Sequence, residues 1–290
     1  MALKDDLHGK LDSLTAAERK VATALLADYP FAGLMTVVEL AERSNVSSQS
    51  ILRLVAKLDF HGYGDFQRAL ISEIKNGYKS PVTLRESVSP PLCSSPSLAE
   101  ITDVTVRSIH ETVATMSEAQ FVTICEMIAD TKRSVFLIGG RMSHTLATFL
   151  FRHLRQIRPK VYLIPEYEEE WPEYLLRMGR RDIVLMFDYR RYQKDLERLA
   201  ERAVTDRGVN IVLFTDKWLS PVSKHSHHIL ASNVEVGTPW DTSLPLLLVI
   251  EAIINRVSEQ DWNATRKRIR NWDDLRSPAV SNEKMDFDES

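Results

Sequence analysis

Five short apolar runs follow one another beyond residue 130, each set off from the next by a helical or loop-like stretch, and that alternation leaves the second half of the chain few ways to fold. The runs cover 134–138, 160–164, 182–187, 209–214 and 228–231, the last being the weakest. Between and after them, 145–157, 192–206 and the apolar segment 244–257 carry helical spacing. Short apolar strands separated by helices predict a parallel sheet covered on both faces. Ligands of such sheets sit at the carboxyl ends of the strands, near the point where strand order reverses.

Ahead of the sheet, 98–130 returns to helical spacing through Ile101, Val104, Ile109, Val113, Met116, Ile124 and Ile128, which predicts two helices broken near Ser117. They are expected to brace the sheet and to form part of a contact between copies of the chain. Four prolines and no sustained period mark 79–97 as a semi-extended linker. The expected organisation is therefore a helical domain over 1–78, a linker over 79–97, an α/β domain over 98–262 and a polar tail over 263–290. That tail is too polar to pack and is expected to be disordered in part.

Within the helical domain, 36–58 reads as two short capped helices joined by a turn. Thr36 and Glu39 make a capping box, each side chain satisfying an orphan N–H at the helix start. Val37, Leu40 and Ala41 face inward. The break falls at Ser44-Asn45-Val46, where Asn tolerates the left-handed backbone of a sharp turn, and Ser47 is expected to cap the next helix. There, Ile51, Leu54, Val55 and Leu58 fall at i, i+3, i+4 and i+7 and form the buried stripe. A helix of this kind, inserted N-terminus first into a major groove, would present Ser47, Ser48, Gln49, Ser50, Arg53 and Lys57 to base edges or phosphates. The same spacing also describes an ordinary helical hairpin with a solvated face.

The flanks separate these readings. A second capping box in Leu14-Thr15-Ala16-Ala17-Glu18 opens a helix that runs through Leu26 and ends before Pro30. Downstream, a glycine-punctuated aromatic turn over 59–66 leads into a helical run over 67–75. The pieces LTAAERKVATALL, TVVELAERSNVSSQSILRLVAKLDF and GYGDFQRAL, in that order and spacing, resemble the N-terminal domain of RpiR/MurR-type transcriptional regulators. The resemblance implies that this domain binds double-stranded operator DNA. Residues 1–79 hold ten Lys plus Arg against ten Asp plus Glu, and the whole chain carries a net charge of −3, which argues against indiscriminate binding to nucleic acid. A locally basic face of Arg43, Arg53, Lys57, Arg68 and Lys75 would then act best with two copies on one DNA.

Two loops stand out at the predicted sheet edge. After the first strand comes Gly139-Gly140-Arg141-Met142-Ser143, where small residues let backbone N–H groups and a hydroxyl approach an anion; a plain connection has the same look. The third strand ends in Asp188-Tyr189-Arg190-Arg191-Tyr192, and arginine suits forked recognition of carboxylate or phosphate. A solvated helix start would explain it too, although cations there oppose the helix dipole. With VFLIGGRMS at the first strand and VNIVLFTDKWLSPVSKHSHHIL at the fourth and fifth, about 120–257 resembles a SIS (sugar isomerase) domain, the phosphosugar-binding module of the same regulators.

This chain departs from that family at the loop after the third strand. A Ser-x-Ser-Gly type loop is usual there, and Phe187-Asp188-Tyr189-Arg190-Arg191 stands in its place. Either Arg190 and Arg191, with Arg141 facing them, bind a small anionic effector other than the usual sugar phosphate, or the domain serves only to oligomerise. Asp188 either accepts ligand hydroxyls or pairs with an arginine. On the first reading the effector-binding residues are Gly139, Gly140, Arg141, Ser143, Asp188, Arg190 and Arg191.

Other features point away from catalysis and metal binding. His225, His227 and His228 lack a partner at fixed offset, and no nucleophile elbow, His-Glu-x-x-His or phosphate-loop lysine appears. Cys93 and Cys125 lack metal-ligand spacing and are expected to be reduced. The acidic run 166–170 reads as a solvated loop, with Trp171 and Glu173 near the sheet edge. No apolar run approaches the roughly 20 residues that span a bilayer, and no secretory segment opens the chain, so a cytoplasmic protein without cofactor is expected.

The sequence thus predicts an all-α helix-turn-helix domain followed by an α/β SIS-like domain with a parallel sheet flanked by helices. The expected function is a DNA-binding regulator, a repressor by family resemblance, acting as a homodimer or homotetramer under a small anionic effector, either a sugar phosphate or a different anion. Its rivals are a phosphosugar isomerase, for which Glu235 and Asp241 are the nearest candidate bases, and a regulator whose second domain only self-associates.

Overall fold

The computed structural model describes residues 3–27, 29–77, 80–87 and 96–276. Its first unit is helical: α1 (Leu3–Lys10), α2 (Ala16–Ala27), α3 (Val37–Ser44), α4 (Ser48–Lys57) and α5 (Tyr63–Gly77). Both capping boxes form, with Thr36 and Glu39 bonded reciprocally and Glu18 accepting the Thr15 N–H at 2.9 Å. Asn45 turns the chain with φ of 50°, the left-handed conformation that asparagine tolerates. Leu40, Ala41, Ile51, Leu54, Val55 and Leu58 are all buried against α2 and α5. A fully buried Leu or Ile contributes about 1.5–3 kcal/mol, so this stripe fixes how α4 lies. The aromatic turn adds Phe66 edge-on to Phe60 at 5.6 Å, and the Tyr63 hydroxyl donates to the Met35 carbonyl at 3.0 Å.

The linker expectation is corrected in part. Residues 81–87 form α6 (Pro81–Ser87), whose start is capped by Ser80 Oγ accepting the Thr83 N–H at 3.1 Å. Pro81 occupies the first helical position, where a missing N–H costs nothing. Of the other three prolines, those at 90 and 91 lie outside the described residues, and Pro96 immediately precedes the cap of the next helix.

Then come α7 (Leu98–Thr115), opened by a Ser97–Glu100 capping box, and α8 (Glu118–Ala129); the break falls near Ser117 as expected, and the Ser117 side chain caps α8. Five strands follow, namely β1 (Val135–Gly139), β2 (Val161–Leu163), β3 (Ile183–Phe187), β4 (Asn210–Asp216) and β5 (His228–Ser232). They pair in parallel in the order β2-β1-β3-β4-β5. The order reverses between β1 and β3, and Gly139 pairs with Phe187 at that point. On one face pack α8, α9 (His144–Ile157) and α12 (Leu244–Gln260), through Leu146, Leu150, Val249 and Ile253. The other face carries α10 (Trp171–Arg177) and α11 (Lys194–Arg207), through Trp171, Leu175, Leu196 and Leu199.

The polar tail is also shorter than expected. Residues 262–276 form α13 (Trp262–Arg276), laid along α9 by Arg268 Nε donating to the Arg155 carbonyl at 2.8 Å. Only Thr265 of this helix is buried, which is why its sequence reads as solvated. Residues 277–290 lie outside the described residues. Among the described residues, no helix is long and apolar enough to cross a membrane.

An apolar contact joins the two units. Leu219, in the loop after β4, is 3% exposed and belongs to the apolar cluster of the N-terminal helices, with Ile229 and Ala231 of β5 packed against it.

Candidate functional sites

The exposed face of α4 is the first site. Gln49, Leu52, Arg53 and Ala56 are exposed opposite the buried stripe, and Ser48 and Ser50 are half-buried at its first turn. Ser47 behaves differently from the expectation: no side-chain cap bond forms, and its hydroxyl lies 3.1 Å from Ser50 Oγ instead. Lys57 is likewise engaged within the domain. Its Nζ lies 2.7 Å from Glu18, a carboxylate buried at the start of α2. Burial alone would raise the Glu18 pKa, but the Lys57 and Thr15 hydrogen bonds outweigh it and hold the carboxylate low. Lys57 therefore joins α4 to α2, and Gln49 and Arg53 are the residues of the predicted set that project furthest from structural duties.

The second site is the carboxyl edge of β1, β3 and β4. Helix α9 approaches so closely that a Cβ on Gly139 would stand 2.6 Å from the His144 backbone nitrogen. Gly140 faces three polar groups, Gln193 Oε1, Asp188 Oδ1 and Ser143 Oγ, each within 3.4 Å of where its Cβ would be. Ser143 is buried and donates to the Phe187 carbonyl at 2.6 Å. Asp188 is 1% exposed and accepts a short hydrogen bond from the Ser220 hydroxyl. Burial pushes the Asp188 carboxyl up to about 7, against the Ser220 and Gln193 hydrogen bonds.

Arg190 turns inward, contrary to the expectation of a guanidinium offered to an anion. Its Nη2 donates to Glu235 at 3.0 Å, its Nε lies 3.0 Å from Asp241, and the guanidinium stacks on Trp218 at 4.0 Å from the ring centroid. The charge is thereby neutralised by two carboxylates from the β5–α12 loop. Lys217 adds a second cation, 2.5 Å from Glu235. Burial raises the Asp241 carboxyl to about 6 despite Arg190, whereas Glu235 is held low because Lys217 and Arg190 outweigh its burial. Arg141 and Arg191 remain exposed, Arg141 beside Gly140 in the loop after β1 and Arg191 in the loop after β3. Arg191 adopts a left-handed φ of 61°, strained for a side chain with a Cβ.

Beneath this layer lies Asp216, which the sequence reading did not select. It accepts from the Tyr192 hydroxyl at 2.6 Å, the Arg190 N–H at 2.7 Å and the Trp218 N–H at 3.0 Å, and so holds the β3 and β4 loops together. Burial raises its pKa even so. The signal was available, since Thr215-Asp216 ends an apolar strand paired next to Phe187-Asp188. The three histidines do not gather a ligand set: among the described residues no group of His, Cys, Asp and Glu could hold a metal ion.

Comparison with known proteins places both units. Residues 1–77 match the family described as "Helix-turn-helix domain, rpiR family", and residues 127–256 match "SIS domain". An HTH-type transcriptional regulator of Providencia stuartii is 24% identical over 213 residues, covering 72% of this chain and 74% of that protein. Another from Thermotoga maritima is 22% identical over 258 residues, covering 87% and 90%. Among solved structures, the Vibrio vulnificus NanR protein complexed with ManNAc-6P matches 97% of this chain and 100% of its own, with a TM-score of 0.54 at 18% identity. The sugar isomerase domain of an RpiR transcription factor from Sphaerobacter thermophilus matches 61% of this chain and 98% of its own, with a TM-score of 0.56 at 16% identity.

Proposed function

The chain belongs to the rpiR family, a helix-turn-helix domain followed by a SIS domain, and from that premise we propose a transcriptional regulator that reads duplex DNA through α4 and responds to a small phosphorylated sugar at the carboxyl edge of its sheet. The observation that carries the DNA reading is the exposure of Gln49 and Arg53 on a helix whose opposite face is locked into the domain core. Two N-terminal domains would take the half-sites of an inverted repeat, with two or four copies of the chain in the assembly. The sense assigned is repression, relieved by the ligand.

Support for the effector comes from NanR, which carries ManNAc-6P on the same architecture, and from the exposed Arg141 and Arg191 on the loops that follow β1 and β3. These two, rather than Arg190, are the cations assigned to the phosphate. Gly139, Gly140, Ser143 and Asp188 are assigned to shape the floor and to face sugar hydroxyls. Binding is favoured over turnover because Glu235 and Asp241, the nearest candidate bases, are both engaged with Arg190.

Selection from a random duplex pool tests the first half, with enrichment of an inverted repeat expected and no enrichment overturning it. Thermal melts with ManNAc-6P and hexose 6-phosphates test the second. A ligand at 100 times its Kd stabilises by about 2.7 kcal/mol. Turnover of a sugar phosphate that is lost in Glu235→Gln would favour the isomerase instead.

A further inference from the structure

The loop 216–220 is fixed at both ends by the sheet-edge site. The Asp216 carboxylate accepts the Trp218 N–H at 3.0 Å, and Thr215 Oγ1 accepts the Ser220 N–H at 3.1 Å while donating to the Asp188 carbonyl at 2.7 Å. Ser220 in turn donates its hydroxyl to the Asp188 side chain. Trp218 lies under the Arg190 guanidinium, which Glu235 and Asp241 hold from the opposite loop. Between Trp218 and Ser220, Leu219 adopts a left-handed φ of 61°.

That conformation is unfavourable for leucine and persists only where surrounding contacts impose it. Those contacts lie on both sides. The backbone is bound to the sheet edge, whereas the side chain is buried in the apolar cluster of α1–α5. Among the described residues, Leu219 is the one buried residue of 96–276 in that cluster, with the partly buried Ile229 and Ala231 of β5 packed against it.

We infer that Leu219 is a positioning residue that ties the state of the sheet-edge site to the placement of the DNA-reading domain. The inference rests on the chain being a ligand-responsive regulator. A ligand that engages Asp188 competes for the bond that holds Ser220, and a change at Ser220 reaches Leu219 through one peptide unit. An apolar contact centred on one buried side chain is small enough for binding at the sheet edge to release, in keeping with the size of ordinary coupling between sites.

Hydrogen–deuterium exchange on the full chain, with neither DNA nor ligand, tests this. Leu219→Ala is expected to speed exchange several-fold at amides of α2, α4 and α5. Ser220→Ala, which leaves the N-terminal cluster chemically intact, is expected to do the same, and to add nothing once Leu219→Ala is present, because the two act through one path. Should Leu219→Ala fail to fold, Leu219→Gly replaces it, since glycine adopts the observed φ without strain. Wild-type exchange in the Leu219 variant overturns the inference, as does a Ser220→Ala effect of the same size with and without Leu219. Failure of the regulator reading would show separately, as no enriched DNA.

Discussion

Lys57 Nζ lies 2.7 Å from the carboxylate of Glu18, so the second helix of the DNA-reading pair is joined to the first turn of α2. Glu18 is 3% exposed and also accepts the Thr15 N–H. Removing the ammonium leaves a buried carboxylate short of one partner. Lys57→Ala is expected to lower the unfolding free energy by about 1–2 kcal/mol, less than a fully buried pair because the lysine is partly solvated. Chemical denaturation of the N-terminal domain checks this, and an unchanged midpoint would contradict it.

Arg190 stands between Glu235, Asp241 and the Trp218 ring. Arg190→Ala removes the counter-charge for two carboxylates and a stacked contact. With both partners partly exposed, the expected loss is about 2–3 kcal/mol. Arg190→Lys restores the charge but not the planar stack or the fork, and is expected to recover less than half of the loss in the same denaturation series.

Arg191 has the opposite character, being exposed and left-handed. Arg191→Gly keeps the backbone conformation without a Cβ, so stability is expected to stay level or rise by up to about 1 kcal/mol. The thermal shift by a sugar phosphate is expected to shrink at the same time. Full retention of that shift would remove Arg191 from the proposed phosphate site.

The carboxyl of Asp188 titrates near 7 because burial disfavours its charge. The native state therefore holds a proton that the unfolded chain, at about 3.9, has lost. Stability from this group is complete below about pH 4 and declines as pH rises towards 7. Asp188→Asn cannot ionise, and its melting temperature is expected to fall less steeply than wild type between pH 5 and 8. Parallel curves would show that Asp188 is already ionised in the native protein.

The features legible in the sequence are those written in neighbouring residues. Thr36 with Glu39, the Asn45 turn, the 51–58 stripe and the apolar strands each depend on contacts within a few positions, and the sheet follows from their alternation. What was missed depends on distance. Arg190 meets Glu235 across 45 positions and Lys57 meets Glu18 across 39, so no local pattern shows that both cations are engaged. Pro81 read as a breaker because only the capped helix behind it reveals a first-turn proline. Residues 171–177 hid behind an acidic run, although Trp171 and Leu175 bury one face of that helix.

Arg53 carries the central claim, because it is exposed on α4 and makes no ion pair among the described residues. The direct test is fluorescence anisotropy of the full chain on the duplex enriched by selection, comparing wild type with Arg53→Ala at several salt concentrations. A lost base or phosphate contact is expected to weaken specific binding by about 1–3 kcal/mol, with an unchanged melting temperature. Equal affinity and equal salt dependence for the two proteins would contradict the assignment of α4 as the reading helix.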